Sequence, residues 1–161
     1  MKKIVGIILI SVSLGTSCNS TSDTSKSDNK EQTSEKETSK ESDVPFKIAE
    51  NYFIKNDVND TVPSKIVSQE VFDTYFGLAT TMGENGKPTP IDFSKEFVIV
   101  VDHNNTSKQT DISLVSLEKK EENILFNYAI IEGEDKGFVT RPFLMVIVDK
   151  NNDGEVIFLE Q

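Results

Sequence analysis

The sequence predicts an α+β domain: a mostly antiparallel, curled five- to six-stranded sheet with one short helix. Three observations point there. The runs Phe97–Val101 and Phe143–Val148 are continuous and rich in β-branched residues, as strands covered on both faces are. Polar turn chemistry at Glu121–Asn123 and Asn151–Gly154 separates strand-like stretches closely enough for hairpins. Only the stretch after Ser68 spaces its apolar residues as a helix does.

In chain order, the first segment stands apart from that domain. Lys2-Lys3, the apolar run Ile4–Leu14 and the small residues Gly15-Thr16-Ser17 precede Cys18. As a helix the apolar run spans about 16 Å, roughly half the hydrocarbon core of a bilayer. Residues 1–17 therefore read as a signal peptide. The segment resembles that of bacterial lipoproteins, which is cut before a cysteine that then receives lipid; Gly15 stands where leucine is common, and Leu14 sits one place further out. The resemblance implies lipidation at Cys18, and with it an exported chain held on a membrane of the cell envelope. Asn19 lacks the aspartate that retains some lipoproteins at inner membranes, which favours the outer membrane. No cysteine follows Cys18, so no disulfide framework supports the fold.

From lipidated Cys18 to Asp43 the chain reads as a disordered polar tether. Asn19–Asp43 contains only Ser, Thr, Asn, Gln, Lys, Asp and Glu. It cannot bury enough surface to offset its chain entropy, and as a flexible coil it would span about 25–30 Å. Residues 44–161 are long enough for one domain and too short for two.

Within the domain, Phe46, Ile48, Tyr52 and Ile54 mark one extended stretch. Ser68 is placed to cap a helix of about ten residues, with Gln69 and Glu70 in its first turn and Val71, Phe72, Tyr75 and Phe76 on one face. Gly77 offers a terminator. Thr80–Pro90, with two glycines and two prolines, reads as a loop. Asp92-Phe93-Ser94-Lys95 reads as a capped turn with Phe93 plugged into the core. Ile112–Leu117, Ile124–Ile131 and Val156–Leu159 are mixed or alternating, as where one sheet face meets water, and Ile124, Phe126, Tyr128 and Ile130 share a face. One short helix cannot cover both faces of the central strands, so either the sheet curls into a sandwich or half-barrel, the favoured outcome, or some apolar surface is left for a partner.

Charge and motifs narrow the function. The chain carries a formal charge of −10, or −12 without Lys2 and Lys3, which excludes a polybasic grip on nucleic acid or anionic lipid. His103, the only histidine, stands among asparagines, and no Gly-x-Ser-x-Gly elbow or phosphate-binding glycine loop occurs. No catalytic residues and no cofactor are expected. Asp149-x-Asn151-x-Asp153-Gly154 with Glu160 fits the EF-hand loop expression, making Asp149, Asn151 and Asp153 candidate calcium ligands. Entering and exiting helices are missing, however, and a hairpin turn would leave Glu160 about 20 Å along its strand. The expected metal assignment is therefore none. Arg141, the only arginine, is expected to make an ion pair at the domain edge.

Ile66-Val-Ser68-Gln-Glu70, Ile91-Asp92-Phe93-Ser94-Lys95 leading into Phe97–Val101, and Arg141-Pro142 before a closing hairpin together resemble the C-terminal domain of the PrcB-type subunit of a surface protease complex, over Ile66–Phe158. The chain is also similar to small tethered lipoproteins of the Bacteroidetes type. Where the PrcB type has a glycine-rich strand, Thr106–Thr110 stands instead. The resemblance implies a non-catalytic protein that binds or stabilises another envelope protein, a protease among the options. The loops Thr80–Pro90 and His103–Thr110 are the expected contact surfaces. The alternative reading is an envelope lipoprotein that binds a small ligand or Ca2+.

Overall fold

The computed structural model describes residues 42–80 and 86–161. The expected signal peptide, Cys18 and nearly all of the tether lie outside the described residues, as does the middle of the Thr80–Pro90 loop.

The described strands are β1 (Ser42–Asp43), β2 (Phe46–Ile48), β3 (Tyr52–Ile54), β4 (Lys65–Ile66), β5 (Phe76–Leu78), β6 (Glu96–Asp102), β7 (Thr106–Lys120), β8 (Asn123–Thr140), β9 (Phe143–Asp149) and β10 (Glu155–Glu160). The helix α1 covers Gln69–Tyr75, and a single 3-10 turn covers Lys150–Asn152. The domain is mostly β and mostly antiparallel, with one α-helix among the described residues. It is not one curled sheet. A central sheet runs β2-β9-β6-β4, an outer sheet runs β1-β7-β8-β10, and β3 pairs with β5 as a ribbon.

The two continuous apolar runs explain this layering. They pair antiparallel as β6 and β9, from Glu96–Asp149 to Asp102–Phe143, and alternate residues point to opposite sides. Phe97, Ile99, Val101, Leu144, Val146 and Val148 pack towards the outer sheet, against Leu117, Ile124 and Phe126. Val98, Val100, Met145 and Ile147 pack on the other side, against Phe72, Phe76, Val62 and Ile66. A helix of seven residues is about 10 Å long and covers only that second face. A second sheet, rather than curling, seals the first.

Helix α1 starts where Ser68 accepts a hydrogen bond from the Val71 amide, as expected of a serine cap. It ends earlier than its apolar face suggests. Phe76 is already extended and opens β5. Gly77 serves a different purpose from a helix terminator: a Cβ there would lie 2.5 Å from the exposed Phe53 ring, so glycine lets that ring lie across β5. The stretch Phe46–Ile54 is likewise divided, with a positive φ of 63° at Asn51 turning the chain from β2 to β3.

The Glu121–Glu122 turn does join β7 and β8 as a hairpin, closed by Lys120 and Asn123. The turn after β9 does not make one. β9 is already flanked by β2 and β6, so the chain crosses to the outer sheet and β10 pairs parallel with β8, from Glu155–Asn123 to Glu160–Tyr128. Gly154 makes the crossing tight, since a Cβ there would meet the Glu122 carbonyl at 2.4 Å. Phe93 packs beside Phe72, with centroids 5.5 Å apart, and Asp92 caps its turn by accepting from the Ser94 amide and hydroxyl.

Candidate functional site

Arg141 makes four hydrogen bonds within the protein. Its Nε and Nη2 donate to the two Asp102 carboxylate oxygens at 2.9 and 2.6 Å. Nη1 donates to the Val58 carbonyl and Nη2 also to the Asp60 carbonyl. The Asp102 side chain is 8% exposed, so this fork-to-fork pair is largely removed from water. Hydrogen bonding to Asp102 raises the guanidinium pKa, though burial opposes it. The arginine thus ties the end of β6, the start of β9 and the 58–60 segment together. It lines a groove of about 640 Å³ with Asn56, Asn104 and Asn105, but four of its five N–H donors are spent on the protein.

The calcium-loop pattern is also answered from within. The Asp149 carboxylate accepts from the Asn151 amide at 2.7 Å and caps the 3-10 turn. The Asp153 carboxylate accepts from Lys65 Nζ and from the Gly154 amide. Lys65 Nζ also donates to the Gly154 carbonyl at 2.7 Å and lies 4.9 Å above the Phe97 ring. Lys119 Nζ donates to the Asp153 carbonyl. Two ammonium groups thus occupy the ground where a cation would be drawn. The Lys65 hydrogen bond, opposed by burial, holds the Asp153 carboxyl below its ordinary range. Glu160 ends β10, far along the strand from this turn. Among the described residues, no group of three or more His, Cys, Asp and Glu is arranged to hold a metal ion.

Of the two loops expected to make contacts, Thr106–Thr110 belongs to β7 and pairs with β8. His103 remains in the connection, its Nδ1 2.8 Å from the Asn104 carbonyl. The end of the Thr80–Pro90 loop that is described is pinned down: Thr89 exchanges bonds with Glu50, and its carbonyl accepts from the Tyr52 hydroxyl at 2.7 Å.

A different surface stands out, the solvent side of the outer sheet. Residues Leu125, Ala129 and Ile131 of β8 and Ile157 and Leu159 of β10 point away from the core, since their neighbours Ile124, Phe126, Tyr128, Val156 and Phe158 point into it. Ile131 is 62% exposed and Val115, pushed out by a bulge in β7, is 58% exposed. At the centre Asn127 donates to the Ser116 hydroxyl at 2.8 Å and accepts from the Gln161 side-chain amide at 3.4 Å. Asp111 and Glu118 stand directly across the ladder from Ile131 and Leu125, and Glu155 lies two residues before Ile157, so carboxylates border the apolar residues. The four-residue apolar run Val156–Leu159 carried the signal, because a strand apolar on both faces has two surfaces to cover.

Comparison of the chain with family models, with curated proteins and with solved structures finds no match. Among the described residues, no helix is long and apolar enough to cross a membrane.

Proposed function

We propose that this chain is a non-catalytic, lipid-anchored cell-envelope protein that binds or stabilises another envelope protein. The observation that carries the reading is the charge-free centre on the outer sheet, apolar residues around the Asn127–Ser116 pair, in a chain of which 27% of residues are charged. A charge-depleted centre within a polar rim is the composition of a protein interface. The lipoprotein-like segment ending at Cys18 and the polar stretch that precedes β1 supply an anchor and reach. The PrcB-type resemblance favours an envelope protease as the partner.

The test is crosslinking in intact cells, with recovery of the tagged protein and mass spectrometry. One dominant envelope protein is expected with the native chain, and its loss with the pair Ile131→Glu and Ile157→Glu. Both positions are solvent-facing, so the variant should keep its melting temperature. Recovery of no specific partner by the native chain would end this reading.

A further inference from the structure

Among the strands that close a described sheet, β10 is the longest, six residues against two or three for β1, β2 and β4. β7 before Leu117 and β8 after Tyr128 also leave one side unpaired, but only β10 ends at the groove that Glu160 lines. Its hydrogen bonds to β8 run through odd-numbered residues, from the Glu155 amide to the Glu122 carbonyl through to the Gln161 amide and the Tyr128 carbonyl. In a parallel ladder the N–H and C=O of the alternate residues then point outward. Val156, Phe158 and Glu160 therefore present three donor–acceptor pairs to an incoming strand. The edge has no proline, lysine or bulge, the usual devices that discourage pairing.

At the far end of β10 the two sheets separate into a groove of about 620 Å³, lined by Val101, His103, Tyr128, Ile130, Glu132 and Glu160. Glu132 is taken up by Lys108 at 2.5 Å. Among the described residues, Glu160 is met by the Tyr128 hydroxyl, at 3.4 Å. A carboxylate beside an aromatic ring and apolar walls suits a long cationic side chain: the head meets Glu160 and the Tyr128 face, and the stem lies on Ile130.

We propose that β10 takes up an extended peptide segment of a protein partner by strand addition, with a Lys or Arg of that segment seated in the groove beside Glu160. This rests on the partner-binding reading and names how the partner is held. Charge complementarity selects the occupant. A second copy would bring its own Glu155 and Glu160 alongside the same pair, four carboxylates on one short edge, between molecules each carrying −10. A basic segment with apolar residues at alternate positions meets the edge, the apolar face and the carboxylate together.

The test uses a displayed library of random decapeptides selected against the purified protein and two variants. Val156→Pro deletes an outward donor without touching a bond to β8, and Glu160→Lys reverses the groove charge; both are checked for native melting temperature. The native protein is expected to enrich peptides with alternating apolar residues and at least one Lys or Arg. Val156→Pro should bind the same peptides at least tenfold more weakly, and Glu160→Lys should switch the enriched charge to Asp or Glu. Enrichment of nothing, or of one set on all three baits, overturns strand addition. In cells, a partner captured equally by Val156→Pro overturns strand addition while leaving the partner itself established. Capture of no partner by the native chain removes the broader reading.

Discussion

The central and outer sheets use similar side chains to opposite ends. In the central sheet β6 and β9 are apolar on both faces and covered on both, and the edges beyond them, β2 and β4, are short. In the outer sheet β8 and β10 are also apolar on both faces, yet only the inner face is covered and the edge runs six residues. Hydrophobic content alone therefore does not tell a covered face from an uncovered one. What separates them is whether this chain has another layer left to place on that face, and on the outer side of β8 and β10 the described residues have none.

The contrast is sharpest in paired substitutions. Phe97→Ala empties a site with no exposure and should lower stability by about 3–5 kcal/mol. Ile157→Ser, on the uncovered face, should change it by no more than about 0.5 kcal/mol. Urea denaturation compares them directly, and equal losses would mean that the outer face is core. Arg141→Ala follows, at about 3 kcal/mol, because it leaves Asp102 buried without its partner. Hydrogen exchange should then quicken first around Val58–Val62, whose backbone loses its anchor; uniform quickening would argue against a local clamp. A gain is expected from Glu121→Gly, about 0.5–1 kcal/mol, since Glu121 holds a positive φ of 56° in the hairpin turn.

The smallest effect is tied to pH. Asp153 is held below its ordinary 3.8 by the Lys65 hydrogen bond against the opposing effect of burial. A depressed folded-state pKa stabilises above the unfolded value and is lost as pH falls through the folded one. The native protein should thus exceed Lys65→Met in stability at pH 7, by a margin that narrows as pH drops from 3.8 towards the lowered value. A margin that stays constant would assign the Lys65 contribution to its contact with Phe97 instead.

How much was legible in the sequence follows the range of each signal. Local signals read correctly: the Ser68 cap, the Asp92 turn with Phe93 behind it, the Glu121–Glu122 hairpin and the double-sided character of β6 and β9 were all written in neighbouring residues. The partition into sheets was not. Asn151–Gly154 has hairpin composition, but β9 had no free edge to pair with, a fact fixed by Phe46–Ile48 about 100 residues away. The arginine pair was expected, whereas Asp102 as its partner was not, because the two are 39 positions apart. The apolar outer face was present in Val156–Leu159 but looked like an ordinary half-buried strand until its neighbours were known.

The nesting of β7 and β8 between β6 and β9 has a kinetic consequence. Asp102 pairs with Phe143, 41 residues on, and closing so long a loop unaided is slow. The hairpin lies wholly within that interval. Once it zips from Lys120–Asn123 to Thr106–Thr140, the ends of β6 and β9 are only a few residues from meeting, which lowers the closure entropy by about 2 kcal/mol. Assembly then runs from the hairpin inward, and easing the Glu121 turn should speed folding rather than slow unfolding. On that route the solvent-facing side of β8 exists before the core beneath it is complete.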